Sequence, residues 1–202
     1  MFEPFNRYFI INKPHKMLSQ FIGGEKGAML GKLDYAFPEG IHAVGRLDSD
    51  SEGLLILTTN KKVTRLLFQG KTPHKRTYLV RVKNKVSLEK LEMLRNGVTI
   101  RIKDGAYYTT PPCSVEIIEQ PENLFPHQLE LRDYIAHTWL LVSLYEGKYH
   151  QVRKMVSAIN HRCMRLIRVS IEDIELGTLE PGGVREIEES EFFGLLKIDN
   201  WN

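Results

Sequence analysis

Cysteines and long apolar runs are scarce in this sequence. Cys113 and Cys163 are the only cysteines among 202 residues, and neither belongs to a CxxC motif. Two isolated cysteines are typical of a protein in a reducing compartment, and they provide no ligand pair for a structural zinc ion. The longest apolar stretches, residues 53–59 and 138–145, are far shorter than the roughly 20 residues of a membrane-spanning helix. Residues 1–7 also lack the apolar core of a signal peptide, so the sequence predicts a cytoplasmic protein with no membrane partner.

A phosphate-binding loop and internal repeats are also missing. The glycines within residues 23–32 do not follow the G-x-x-x-x-G-K-(S/T) spacing of such a loop, so no nucleotide cofactor is expected. Apolar residues make up 42% of the chain and charged residues 26%, which is typical of a globular protein. A chain of this length forms one large domain or two small ones. If there are two subdomains, the loop-like stretch near residues 120–135 is the expected junction.

Positive charge is concentrated in two segments. Residues 61–103 contain 13 Lys and Arg against two acidic residues, and residues 148–168 contain six basic and no acidic residues. The remaining sequence is acidic, and the net charge of the whole chain is only +3. Two such segments build a positive surface suited to a phosphate backbone, unless folding scatters them as ordinary solvated side chains. A nucleic acid is therefore a candidate partner.

Segments with the pattern of strands outnumber those with the pattern of helices. Strands are predicted at residues 7–12, 42–47, 53–58, 76–83, 98–103, 113–119 and 138–145, with a β-rich stretch over 163–176 and a last short strand after it. Tyr78, Val80 and Val82 alternate along the strand at 76–83, and a turn is predicted at Asp104-Gly105. Helices are predicted at residues 60–68, 87–95, 149–160 and 188–197. Ser87 is the predicted N-cap of the second helix, and Asn96-Gly97 is predicted to end it. Many strands with a few inserted helices favour an α+β fold.

An acidic loop precedes one of the most apolar segments of the chain. Asp48, Asp50 and Glu52 alternate along the sequence beside Arg46, and the strand predicted at 53–58 follows at once. Loops held by a rigid strand commonly carry catalytic groups. Two carboxylates suit a glycosidase and three suit a metal site, but a polar turn with surface acids has the same pattern. The residues by themselves leave these three interpretations open.

Several segments follow one another in an order and spacing that match a known family. They are Asn12-Lys13-Pro14; Gly45-Arg46-Leu47-Asp48 with GLLILTTN at residues 53–60; Lys75-Arg76-Thr77-Tyr78-Leu79-Val80; EGKYHQVRKM at residues 146–155; Leu166-Ile167-Arg168; and Gly182-Gly183-Val184-Arg185. Together they resemble one group of ribosomal RNA pseudouridine synthases, which comprises type A (small ribosomal subunit) with types B, E and F (large ribosomal subunit). The resemblance runs from about residue 7 to residue 188. Within the group it is strongest to type E, because no S4-type RNA-binding module is expected ahead of these motifs and because RNGVT at residues 95–99 resembles that type.

The resemblance implies a fold, a reaction and a substrate. The fold is a single catalytic domain over residues 1–202, in which a long, bent, mixed and mainly antiparallel sheet with flanking helices surrounds a central RNA-binding cleft. The reaction is an isomerisation that detaches uracil N1 from ribose C1′ and rejoins the base through C5, without a cofactor or metal. The expected substrate is one uridine of large-subunit (23S) ribosomal RNA, bound by a monomer.

The resemblance also implies roles for individual residues. Asp48 matches the essential carboxylate of the family, which attacks carbon or takes a proton from the sugar. Arg153 matches a motif arginine whose charge favours ionised Asp48. Tyr78 matches a tyrosine that stacks on the target uracil. Arg46 is expected to enter the space left by the flipped base or to hold its phosphate.

The remaining implied contacts are to RNA alone. Lys13, Lys75 and Lys154 are expected to bind phosphates, and Gln151 is expected to lie among the RNA-binding residues. Asp50 and Glu52 are expected to shape the catalytic loop, with no second catalytic carboxylate.

Three other functions fit parts of the same sequence. One is a module that binds or chaperones RNA without chemistry, although Asp48, Tyr78 and Arg153 are intact. Another is a hydrolase of nucleosides or glycosides that uses Asp48 with Asp50 or Glu52, for which the basic segments have no purpose. The third is the same isomerase acting on small-subunit ribosomal RNA or transfer RNA.

Overall fold

Short helices and many strands make up the structure, a computed structural model that describes residues 5–23, 27–70, 72–127, 134–199 and 201. Its strands are β1 (Tyr8–Lys13), β2 (Met17–Leu18), β3 (Ala28–Met29), β4 (His42–Ala43), β5 (Glu52–Thr58), β6 (Arg76–Lys83), β7 (Thr99–Arg101), β8 (Tyr107–Thr109), β9 (Ser114–Ile118), β10 (His137–Leu144), β11 (Cys163–Ile171), β12 (Ile174–Glu175) and β13 (Val184–Ile187). Its α-helices are α1 (Lys62–Gln69), α2 (Leu88–Asn96), α3 (Gln151–Ala158) and α4 (Glu189–Leu195), and single 3-10 turns occur at Leu30–Lys32 and Lys103–Gly105.

The chain divides into two compact units. The first unit combines Met1–His74 with Arg168–Asn202, and the second unit is Lys75–Ile167. Strand β11 therefore begins in the second unit and ends in the first. The predicted junction near residues 120–135 lies inside the second unit, and residues 128–133 are outside the described part of the chain. A single catalytic domain over the whole chain stays a prediction.

In the first unit, β1 lies between β13 and β5 and is antiparallel to both. Tyr8 pairs with Ile187 on one side and with Thr58 on the other. All residues of β1 and β5 are buried, as expected for strands with neighbours on both edges and packing on both faces. The consequence for function is that the acidic loop immediately before β5 is attached to a fully buried strand.

Aromatic side chains cover both faces of β1. The ring of Tyr8 stacks on Phe192 of α4 with 4.5 Å between ring centroids. Phe9, the next residue, points to the opposite face because side chains alternate along a strand. Its ring packs edge-on against Tyr35 and Phe37, at 5.7 and 5.9 Å between centroids. These contacts hold β1 and the adjacent β5 in place.

In the second unit, β10 lies between β6 and β9 and is antiparallel to both. Val142 pairs with Tyr78 on one side and with Val115 on the other. Helix α2 ends at Gly97, whose φ of 97° lies in a region that favours glycine. A Cβ at this position would lie 2.1 Å from the carbonyl oxygen of Thr110, so only glycine fits there.

The α+β class predicted from the sequence is confirmed. The strands of the pairs β1–β13, β1–β5, β4–β5, β6–β10 and β9–β10 are antiparallel, whereas β2 and β3 form a parallel pair. The predicted strand at 76–83 coincides with β6, and the predicted caps of α2 are observed at Ser87 and Gly97. The central cleft stays a prediction.

One predicted strand is shorter than expected, and one short strand was not predicted. The strand predicted at 42–47 is only the two residues of β4, because Gly45 has a φ of 72° that ends extended structure. The short strand β8 was missed, since three residues are too few to show alternation. It pairs with β7 in a hairpin around the predicted turn at Asp104-Gly105.

Among the described residues, no helix has both the length and the apolar character needed to cross a membrane.

Candidate functional site

Asp48 lies in the first unit, in the loop between β4 and β5. The loop leaves β4 through Val44, whose backbone N–H donates to the Ile56 carbonyl at 2.9 Å. Gly45 follows, and a Cβ built there would lie 2.6 Å from Cζ of Phe68 on α1. The glycine of the Gly-Arg-Leu-Asp motif therefore allows α1 to pack against the start of the loop. The Asp48 side chain is partly exposed and has electrostatic or hydrogen-bonding partners of its own.

Ser19 and Lys16 hold the Asp48 loop, one on each side of Asp48. Buried Ser19 accepts a hydrogen bond from the Leu47 backbone N–H at 2.9 Å, and its hydroxyl lies 2.7 Å from the Leu47 carbonyl, to which it donates. The Lys16 backbone N–H donates to the Ser49 carbonyl at 2.7 Å, and its ammonium pairs with Asp50. Asp48 is therefore flanked by anchored neighbours, which fixes its backbone and limits the directions its carboxylate can take.

Ser19→Ala is expected to lower the free energy of unfolding by about 1–2 kcal/mol, because a buried backbone N–H and carbonyl at Leu47 lose their shared partner. Urea unfolding of the two proteins measures the difference. Ser157→Ala, at an exposed position of α3, is the matched control and is expected to stay within about 0.5 kcal/mol of the unmodified protein. Equal losses in the two variants would contradict this account of Ser19.

Lys13 was predicted to bind an RNA phosphate, and its position in the structure contradicts that role. The side chain is fully buried, and its Nζ donates to the carbonyl oxygens of Pro14 and Met17, both at 2.8 Å. Burial lowers the pKa of Lys13 to about 8, against the opposing influence of the carboxylates of Glu52, Asp48 and Asp50. A buried ammonium that is already bonded to two carbonyls stabilises the turn after β1 and does not reach a phosphate.

Tyr78 lies in the second unit, near the start of β6. Its side chain is 8% exposed, and it pairs across the sheet with Val142 of β10. The residue is thus largely packed inside the second unit. Its role as a stacking partner for the target uracil stays a prediction.

Arg153 also lies in the second unit, on the first turn of α3. Its charge acts on Cys163, where burial raises the pKa of the thiol to about 11 and the arginine partly opposes that rise. Cys163 therefore remains a protonated thiol near neutral pH and is unsuited to act as a nucleophile. The structure places Asp48 in one unit and Tyr78 with Arg153 in the other.

The other residues predicted to contact RNA differ in their exposure. Arg46 is exposed, whereas Lys75 and Lys154 are partly buried. The prediction that Gln151 contacts RNA does not fit its position, because the side chain is buried. Its Oε1 accepts from the Lys148 backbone N–H at 2.8 Å, and its Nε2 donates to Glu146. It shapes the loop before α3 and has little surface left for RNA.

Sequence reasoning missed Ser19 and Lys16 as supports of the Asp48 loop. Ser19 lies 28 residues from Leu47 along the chain, and no local pattern links the two. Tyr149 was part of the EGKYHQVRKM segment but received no role. The ring is exposed, and only the structure shows that.

A fold of this class, with an aspartate anchored ahead of a buried strand, matches a family of RNA-modifying enzymes. The family model for RNA pseudouridylate synthases matches residues 7–158. The chain belongs to this family, and its members are isomerases.

Individual relatives agree with this assignment. The chain is 40% identical over 185 residues to a Vibrio parahaemolyticus protein named ribosomal large subunit pseudouridine synthase E, covering 90% of this chain and 74% of that protein. It is 34% identical over 174 residues to a protein of the same name from Xanthomonas axonopodis pv. citri, and this match covers 85% of this chain and 89% of that protein. A crystal structure of a pseudouridylate synthase matches with a TM-score of 0.74 and 26% identity, over 94% of this chain and 74% of that one.

Proposed function

We propose that this protein converts one uridine of large-subunit ribosomal RNA to pseudouridine, with Asp48 as the essential carboxylate. The observation that carries the proposal is the anchored loop that presents Asp48 between Leu47 and Ser49 within the family motif. The choice of large-subunit RNA is supported by two relatives that bear that substrate in their names.

The proposed reaction breaks the bond between uracil N1 and ribose C1′ and forms a bond between C5 and C1′. Asp48 either attacks a carbon or removes a proton from the sugar, and both roles need its ionised form. Arg153 supplies positive charge that favours the carboxylate, and the Tyr78 ring stacks on the uracil. The hydrogen on C5 leaves to solvent as a proton and N1 takes up a proton, while Asp48 gives back the carbon or proton it has taken, so that the net change is an isomerisation. The proposal includes no metal or cofactor.

RNA binding is proposed to use the two basic segments, residues 61–103 and 148–168. Their excess of Lys and Arg suits the phosphate backbone, which provides much of the affinity in protein–RNA complexes. Exposed Arg46, next to the catalytic loop, is the proposed contact to the flipped nucleotide or its phosphate. The protein is proposed to act as a monomer in the cytoplasm.

Tritium release from ribosomal RNA labelled at uridine C5 tests this function. Large-subunit RNA is expected to release tritium with the protein alone, whereas small-subunit RNA and transfer RNA are expected to release none. Release from one of the other RNAs would support the isomerase activity but show that the substrate is that RNA. Free uracil without tritium release would identify a hydrolase, and RNA binding without either product would identify a binding module.

A further inference from the structure

The loop that joins β10 to α3 in the second unit carries exposed aromatic rings. Tyr145 and Tyr149 are 57% and 60% exposed. The rings of Tyr149 and His150 are stacked, with 3.9 Å between centroids and 29° between planes. Two adjacent residues thus present a stack of flat rings at the surface.

Lysines accompany the rings. The Lys154 ammonium lies over the Tyr149 ring at 5.0 Å from its centroid, and the Lys148 ammonium lies over the Tyr108 ring at the same distance. Residues 148–168 contain no acidic side chain. The combination of flat rings and an excess of basic over acidic residues suits a ligand that carries both a planar group and a negative charge.

Hydrogen bonds hold this loop in one conformation. The Glu146 carboxylate accepts from the Tyr108 hydroxyl and from Nε2 of Gln151. The Gln151 backbone N–H donates to the Lys148 carbonyl at 3.0 Å, and its side chain accepts from the Lys148 N–H. The rings are therefore placed before any ligand binds, which reduces the entropy lost on binding.

We propose that the Tyr149–His150 stack is a binding site for an unpaired base of the substrate RNA other than the target uridine. The base stacks on the face of the Tyr149 ring over which the Lys154 ammonium now lies, opposite His150, and the flexible Lys154 side chain shifts to the phosphate of that nucleotide. Unpaired RNA bases commonly stack on tyrosine and histidine rings, and lysines bind the neighbouring phosphates. The positive charge of residues 148–168 favours RNA as the partner, because RNA carries a negative charge on every nucleotide whereas most protein surfaces do not. This inference rests on the proposed function, since it concerns the same RNA.

Fluorescence of 2-aminopurine tests the site directly. A set of stem-loop fragments of the substrate RNA carries 2-aminopurine at one unpaired position each, and each is titrated with protein. The unmodified protein and Tyr149→Phe are expected to quench at least one position, because both keep an aromatic ring. Tyr149→Ala is expected to lose that quenching and to bind the RNA about tenfold more weakly.

Tyr107→Ala is the matched control. Tyr107 is 79% exposed, and it points away from the face of β8 that carries Tyr108 because neighbours on a strand alternate. This variant is expected to quench and bind as the unmodified protein does. The proposal is overturned if the unmodified protein quenches no position or if Tyr149→Ala quenches normally. It is also overturned if Tyr107→Ala loses as much quenching and RNA affinity as Tyr149→Ala.

Failure of this site is distinguishable from failure of the proposed function. Asp48→Asn is expected to keep the quenching that depends on Tyr149 while losing tritium release. Tritium release by the unmodified protein with normal binding and quenching by Tyr149→Ala would overturn the stacking site alone. Quenching that depends on Tyr149 without tritium release by the unmodified protein would overturn the isomerase and retain an RNA-binding surface.

Discussion

Asp48→Asn is expected to reduce tritium release from C5-labelled large-subunit RNA by at least about 100-fold. The substitution keeps the shape of the side chain but removes the group that attacks carbon or accepts a proton. The backbone anchors at Leu47 and Ser49 do not involve the side chain of residue 48, so the loop is expected to keep its conformation. Initial rates of release, measured with excess protein over RNA, check this prediction.

Asp50→Asn is the matched control in the same loop. Asp50 pairs with the exposed ammonium of Lys16, and surface ion pairs contribute at most about 1 kcal/mol. Its variant is expected to retain activity within about fivefold, because about 1 kcal/mol corresponds to a factor of five. Comparable losses in both variants, or full activity of Asp48→Asn, would reject Asp48 as the single essential carboxylate.

Stability is expected to rise with pH more steeply in the unmodified protein than in Lys13→Met. Burial lowers the folded-state pKa of Lys13 to about 8, whereas the unfolded chain has the ordinary value of 10.5. Between these values the unfolded chain binds more protons, so the free energy of unfolding increases as pH rises. From pH 7 to pH 10 the increase due to Lys13 is about 2–3 kcal/mol.

Urea unfolding at pH 7, 8, 9 and 10 measures this effect as a difference between the two proteins. Lys13→Met also leaves the Pro14 and Met17 carbonyls without their donor, which shifts its curve by an amount that does not depend on pH. For Lys62→Met, at an exposed position, the plot of free energy of unfolding against pH is expected to run parallel to that of the unmodified protein. Parallel curves for Lys13→Met as well would mean that Lys13 titrates normally in the folded state.

Local sequence signals predicted most of the secondary structure. The alternation of Tyr78, Val80 and Val82 predicted β6, and Ser87 with Gly97 predicted both ends of α2. These signals work because strand alternation and helix capping involve residues close together in the chain. Strand β8 and the shortened β4 were not predicted, since neither contains enough residues to establish a period.

The roles of buried polar residues depended on tertiary contacts. Lys13 and Gln151 have the residue types expected of RNA ligands, and sequence reasoning assigned them that role. In the structure both side chains are buried and bonded to nearby groups of the protein. Burial of a single lysine or glutamine has no pattern in the sequence, because it depends on which elements pack over that position.

The sequence by itself determined the α+β class, the family and the candidate aspartate. Class follows from the periodicity of short segments, and the family and Asp48 follow from motifs whose residues are close in the chain. Only the tertiary structure decided which side chains anchor the Asp48 loop and which aromatic rings are exposed at the surface. Ser19 contacts Leu47 across 28 residues, and Tyr108 contacts Glu146 across 38. Contacts over such separations form when strands and helices pack together, and no local stretch of sequence contains both partners.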